Sequence, residues 1–229
     1  RLAFASGNTK TYKKENFIVS IVDDEKYETL FLYSNLNKEA IINSSEITLN
    51  ENIYFVISYN EKINLPNIEK VFFELDQTKV YWKSWCYKTP SFESYNDEIL
   101  RSAMTLKLLN FEKTGAIIAA ATTSIPEAIG EERNWDYRFC WIRDASMVIK
   151  VISKIGHVKM VKNFIDFILN IIPDKNEKLQ IMYGISGEKN LHEETLDYLS
   201  GFQNSKPVRT GNAAYIQKQN DIYGILMDA

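Results

Sequence analysis

Between Phe17 and Val80 the apolar residues fall in short runs rich in β-branched and aromatic side chains: FIVSIV, TLFLYS, ITL, IYFVISY and VFFEL. Such runs predict strands, because branched and aromatic side chains pack well on a pleated surface. Polar turn material separates them, as at Asp23-Asp24-Glu25, Asn35-Leu36-Asn37, Asn50-Glu51-Asn52 and Asn64-Leu65-Pro66-Asn67. The spacing predicts an antiparallel sandwich. This half carries no catalytic constellation, and Asn43-Ser44-Ser45 reads as surface loop and not as a glycosylation site.

After Tyr95 the period changes from two to that of a helix. A first helix is predicted where Ser94 or Asn96 caps Ile99, Leu100, Ala103, Met104, Leu106 and Leu108. A second is predicted from Asp144 to Ile155, with Gly156 as the residue that turns the chain out of it. A third carries Val158, Val161, Phe164, Ile165 and Ile168 and stops at Pro173. A fourth is expected from near Asn212 to Ala229. A β half, residues 1–90 with the Trp-rich Tyr81–Pro90 segment as linker, followed by a helical half, residues 91–229, predicts two domains.

Composition narrows the classes. The chain has 229 residues, 45% hydrophobic and 25% charged, with net charge −3, which excludes low-complexity disorder and collagen-like repeats. Lys, Asp or Glu interrupts every Ile-rich run, so no transmembrane helix and no membrane partner are expected. Interspersed charges offer no basic stripe for nucleic acid. Cys86 and Cys140 have neither disulfide-framework nor metal-ligand spacing, which makes a reducing, cytoplasmic setting the expectation. The chain opens on Arg1 instead of Met, as though partway through something larger.

Chemistry concentrates between residues 82 and 143. All four tryptophans, Trp82, Trp85, Trp135 and Trp141, lie there, and of six arginines three (Arg133, Arg138 and Arg143) fall within eleven residues in GEERNWDYRFCWIRDAS. A chain that otherwise uses Lys has placed Arg where fixed, bidentate hydrogen bonds are needed. Aromatic faces against sugar C–H faces, with planar Arg and carboxylates on the hydroxyls, make a carbohydrate pocket. An interdomain ion-pair network packed by aromatics uses the same residues, and composition does not separate the two.

The stretch TLKLLNFEKTGAIIAAATTSIPEAIGEERNWDYRFCWIRDASMVIKVISKIG resembles the start of the catalytic domain of glycoside hydrolase family 15, the glucoamylase-like and trehalase-like proteins of bacteria and archaea. LQIMYGISGEKNLHEETLDYLSGFQNSKPVRTGNAAYIQKQNDIYGILMDA resembles the family's following stretch. Departures are Ala121, where the family usually has Pro, and Gly130-Glu131-Glu132, where it tends to have Gly-Gly plus one residue. The resemblance implies a partial β-sandwich followed by the first helices of an incomplete (α/α)6 barrel. It also implies that Arg143 and Asp144 hydrogen-bond the outer hydroxyls of a terminal glucosyl ring, with Tyr137 and Trp141 lining that subsite and Arg209 and Asn212 on a later loop near it. Without the resemblance, Asp144 is equally an acidic first-turn residue paired locally, since the helix dipole favours it.

Other candidates carry less. His157 and His192 have no metal-like partner, and His192-Glu193-Glu194 reads as a solvated turn. Cys140 reads as a buried structural thiol, and Gly184 and Gly187 as a turn without Walker spacing. No metal and no cofactor are expected, because inversion needs only two carboxyl groups roughly 6.5–9.5 Å apart and a water. In the family these are two Glu residues downstream of the GNAA stretch, and Glu127, Glu131, Glu132 and Glu188 have no motif that makes them substitutes. No catalytic residue is therefore assigned. The expectation is part of an inverting hydrolase acting on glucosyl-terminated oligosaccharides or trehalose, inactive alone, with a second chain able to complete the barrel. The alternatives are a non-catalytic carbohydrate-binding or interaction remnant, or a phosphorylase-type relative with an unrecognised acid.

Overall fold

The computed structural model describes residues 8–23, 28–172 and 178–229. The expected turn at Asp24-Glu25 and the helix stop at Pro173 lie outside the described residues. The chain divides into two compact units, Arg1–Trp82 and Lys83–Ala229.

The first unit is built on an antiparallel meander of β1 (Asn8–Lys13), β2 (Ile18–Asp23), β3 (Glu28–Ser34) and β4 (Phe55–Tyr59), in sheet order β1-β2-β3-β4. Val19 of β2 lies opposite Tyr12 of β1 and Phe31 of β3. Ile18, Val19, Val22, Tyr33 and Tyr54 form its buried core. Phenol groups tie the irregular segments down: Tyr33 Oη donates to the Ile63 carbonyl at 3.0 Å and Tyr54 Oη to that of Pro66 at 2.6 Å. A short helix, α1 (Lys38–Ile42), is capped by Asn37, whose Oδ1 accepts from Glu39 N at 2.8 Å.

Two strand expectations need correction, and one strand goes unannounced. β1, NTKTYK, has no apolar run to announce it; its polar, Lys-bearing sequence suits a sheet edge. ITL (residues 47–49) forms no element, and Leu49 is exposed. VFFEL (residues 71–75) is not a strand but part of α2 (Ile68–Tyr87), where Ile68, Val71, Phe72 and Leu75 have helical i, i+3, i+4, i+7 spacing. Asn67 caps it, with Oδ1 accepting from Lys70 N at 2.8 Å. The described residues thus hold one four-stranded sheet and not the two facing sheets of a sandwich.

The second unit begins within α2 and continues through α3 (Asn96–Leu108), β5 (Cys140–Trp141), α4 (Ile142–Lys154), α5 (Val158–Ile171), β6 (Met182–Tyr183), β7 (Glu194–Thr195), β8 (Arg209–Thr210) and α6 (Asp221–Asp228). The cap of α3 is neither Ser94 nor Asn96 but Tyr95 at φ 58°; Asn96 instead turns back to accept from Phe92 N at 3.1 Å. On α4, Ile142, Ala145, Ser146, Ile149 and Ile152 make one buried stripe. The helix ends at Gly156 (φ 86°), with Gly156 N on the Ser153 carbonyl and His157 N on that of Ile152, a Schellman closure. So short a connection folds α5 back antiparallel on α4. The core face of α5 is Met160, Phe164, Phe167, Ile168 and Ile171, while Val158 and Ile165, expected on it, are exposed. The last expected helix is broken: a 3-10 turn at Ala213–Ile216, capped by Asn212, precedes α6.

Two ion pairs join α4 and α6: Arg143 with Asp221 and Lys150 with Asp228. Both steps advance seven residues, so α4 and α6 run parallel. Buried Ile222 sits between these ties on α6.

Candidate functional site

The six residues singled out above divide between two clusters. The first forms where β5 passes into α4. Cys140 pairs with Tyr183 and Trp141 with Met182, and Ile142 N donates to the Ile181 carbonyl at 2.9 Å, which fixes the backbone ahead of the helix. Trp141 is 8% exposed and belongs to the core, with the Tyr137 ring 5.9 Å away and tilted by 44°. Burial pushes the Tyr137 phenol above its ordinary pKa, and the Glu127 charge adds to the shift. Burial likewise pushes the Cys140 thiol up to about 12, which makes it an inert packing group.

Arg143 and Asp144 occupy the first turn of α4, on the side away from its buried stripe. Arg143 Nη2 is 3.1 Å from Asp144 Oδ2, and Nη1 is 3.4 Å from both Asp221 Oδ2 and Gln219 Oε1. The Arg143 and Asp144 side chains are 35% and 42% exposed, so the pair is neither sealed nor free. Although ion-paired, Asp144 Oδ2 is itself buried and accepts no hydrogen bond. Charge proximity and hydrogen-bond direction disagree here, and direction decides whether a lone pair is occupied. The exposure of Asp144 therefore lies on the rest of its side chain and not on Oδ2.

The second cluster centres on Asp136, which is fully buried. Its Oδ1 accepts from Arg138 Nε at 2.9 Å and from Arg138 N at 3.1 Å, and its Oδ2 from Arg138 Nη2 at 2.7 Å and Gly211 N at 3.2 Å. The bidentate carboxylate raises the Arg138 pKa against the opposing effect of burial. Asn212, also buried, spends both ends of its amide: Nδ2 donates to the Asp136 carbonyl at 3.0 Å and Oδ1 accepts from Ala214 N at 3.0 Å. Gly211, at φ 77°, has no room for a Cβ, which would lie 1.7 Å from the His192 carbonyl oxygen. Arg209 turns to Glu193 Oε1 (3.2 Å), the Glu132 carbonyl (2.9 Å) and the face of Trp135 (4.6 Å). Arg209 and Asn212 are therefore committed to protein partners.

Sequence reasoning missed Asp136 with Arg138, and Gln219 with Asp221. Residues two apart in extended chain share a face, so Asp136-x-Arg138 was a readable signal. The solvated turn expected at His192–Glu194 is corrected at Glu193, which accepts from Ala213 N at 3.1 Å besides holding Arg209.

A cleft of about 410 Å³ adjoins the first cluster through Gln219, with Gln180, Tyr215, Gln217 and Tyr223 among its walls. A larger one, about 590 Å³, lies between α5 and the Ser186–Lys189 loop and is lined by none of the six residues. Size alone does not make it the site, since the convergent Arg143, Asp144, Gln219 and Asp221 side chains lie elsewhere. Among the described residues, no group of three or more His, Cys, Asp or Glu could hold a metal ion. Among them, too, no helix is long and apolar enough to cross a membrane.

An antiparallel sheet followed by packed helices, with an arginine–carboxylate pair half exposed at a helix N-terminus, defines a β-then-α protein. The chain belongs to the glycosyl hydrolases family 15, whose pattern matches residues 93–229. It is 36% identical over 217 residues to a trehalase of Mycolicibacterium smegmatis, covering 90% of this chain and 32% of that protein. It is 41% identical over 160 residues to a trehalase of Thermoplasma volcanium (70% and 25%) and 39% identical over 164 residues to one of Thermoplasma acidophilum (72% and 28%). The chain thus spans about a quarter to a third of the length of these relatives. No solved structure resembles it to a significant degree.

Proposed function

We propose that this chain supplies the glucosyl-binding part of an α-glucoside hydrolase of the trehalase type, with trehalose as the substrate. The single observation that carries the reading is the half-exposed Arg143–Asp144 pair in the first turn of α4. Two neighbouring hydroxyls of a pyranose ring match it, one donating to the exposed part of the Asp144 carboxylate and one accepting from Arg143. Tyr137 presents a partly exposed aromatic wall, and Trp141 backs it from the core. The cleft beyond Gln219 lies within the ~300–1,000 Å³ range of small-molecule sites and has room for a second sugar ring. Arg209 and Asn212 act one layer behind, fixing the chain around Trp135 and Asp136.

In this reading the helices are part of an (α/α)6 barrel. Its support is the order of directions: α4 and α6 parallel and packed on each other, with α5 returning along α4. Exposed Val151, Ile165 and Leu169 on α4 and α5 are positions where such a barrel packs further hairpins. Asp136, Asp144, Asp221 and Glu193 each serve an arginine, so we assign them to binding and bracing and not to proton transfer. The chain by itself is expected to bind without turnover.

Calorimetry of the full 229-residue chain with trehalose and maltose tests this. Saturable trehalose binding that is lost in Asp144→Ala and Arg143→Ala is the expected result. Unchanged affinity in both variants overturns the clamp, and glucose release by the wild-type chain overturns the separation of binding from proton transfer.

A further inference from the structure

The geometry points to Asp221 as a positioning residue for Arg143, assisted by Gln219, in a role that deepens the clamp reading and rests on it. An arginine next to an aspartate ordinarily closes on it as a fork, with two parallel N–H···O bonds. Arg143 does not. Its Nη2 comes to 3.1 Å of Asp144 Oδ2 without a hydrogen bond, while Nη1 is drawn to Asp221 Oδ2 and Gln219 Oε1, each at 3.4 Å. The guanidinium is turned toward α6, so its charge reaches Asp144 but its donors do not fill that carboxylate. With Nη1 held by Asp221 no fork closes on Asp144, and the exposed part of its carboxylate stays open to a sugar hydroxyl.

The holding group is itself held. Asp221 opens α6, whose position on α4 is set by buried Ile222 and, seven residues on, by the Lys150–Asp228 ion pair. Gln219 is oriented by its other end: Nε2 donates to Gln217 Oε1 at 3.2 Å, which leaves Oε1 to face Arg143. A vicinal diol is the ligand chemistry that fits the result, one hydroxyl donating to Asp144 while its neighbour accepts from Nη2. If Asp221 lost its charge, Arg143 would turn back onto Asp144 and the diol would have to displace it.

Two readouts on the full chain test this, with Asp221→Asn as the variant of equal shape. The first is side-chain NMR of the arginine guanidinium groups, with the Arg143 signals assigned by Arg143→Lys. Slow rotation about Cζ–Nη is expected in the wild type, and shifted signals with altered rotation in Asp221→Asn. The second is trehalose affinity, expected to fall about tenfold in Asp221→Asn, on the scale of one charged hydrogen bond, with Asp221→Glu recovering part of it. Unchanged Arg143 signals in Asp221→Asn overturn the positioning role whatever the affinity does. Changed signals with unchanged affinity also overturn it, provided Arg143→Ala abolishes binding. If Arg143→Ala binds trehalose as well as the wild type, the clamp reading fails instead, and the NMR readout alone decides for or against Asp221.

Discussion

Asp136 with Arg138 and Asp144 with Arg143 are two arginine–aspartate pairs a few residues apart, and they end in opposite states. Asp136 is fully buried and its oxygens accept four hydrogen bonds, two of them from the Arg138 fork. Asp144 is 42% exposed, and its buried Oδ2 lies beside Arg143 without a hydrogen bond. The first arrangement is a structural knot, because a buried ion pair survives only when its remaining lone pairs are satisfied. The second stays half-exposed to solvent. Composition left a sugar pocket and an ion-pair network as competing readings of one segment; the segment holds a buried ion-pair network in its first half and, in its second, a half-exposed pair that the proposed function reads as a sugar clamp.

The sharpest way to break this comparison is to remove the knot. Asp136→Ala leaves the Arg138 guanidinium and Gly211 N–H without their acceptor, and a loss of about 3–5 kcal/mol is expected in urea unfolding followed by tryptophan fluorescence. A loss below about 1 kcal/mol would place Asp136 in the same class as Asp144. Next in size is Gly211→Ala. A left-handed backbone at φ 77° and a Cβ driven onto the His192 carbonyl together cost roughly 2–3 kcal/mol in the same assay, and near-neutrality would show that the knot can relax.

Asn212→Ala removes the cap of the 3-10 turn and one donor to the Asp136 carbonyl, for a loss of about 1–2 kcal/mol. Arg143→Ala and Asp144→Ala should each change stability by less than about 1 kcal/mol while abolishing sugar binding in calorimetry, as befits a half-exposed pair. Destabilisation on the scale of Asp136→Ala would make the clamp structural after all.

His157 belongs to neither cluster and provides an internal reference. Its ring stacks on Trp85 at 3.9 Å, and Nε2 lies 2.9 Å from Thr89 Oγ1. Burial first, then the charges of Lys88 and Lys107, holds its pKa below the ordinary histidine value. The unfolded chain therefore binds the proton more readily than the folded one. Stability is complete above the unfolded value of about 6.5 and declines as pH falls from there through the depressed folded value. His157→Phe, which keeps a ring for Trp85, should flatten that slope in urea titrations between about pH 7 and pH 5. A slope that survives the substitution assigns the titration to another group.

Where information is local, the chain announced its structure. The runs that became β2, β3 and β4, the apolar stripe of α4 and the Gly156 turn are all readable from residues within a few positions of each other. α2 escaped because a β-favouring composition in VFFEL masked an equally visible helical spacing, and β1 because an edge strand needs no apolar run. The fourth helix broke at Gln217–Asn220, ahead of Asp221, where tertiary contacts intervene.

By itself the sequence determined that a sheet precedes helices, that Arg, Asp and aromatic side chains concentrate in one segment, and which family the segment resembles. Only the tertiary structure decided which arginine–aspartate pair is sealed and which is open. The reason is distance along the chain: Asp136 is satisfied by Gly211, 75 residues away, and Arg143 is turned by Asp221, 78 residues away. Helical period and capping act across one or two turns, whereas burial and the vacancy of a lone pair depend on whichever remote backbone the fold brings alongside.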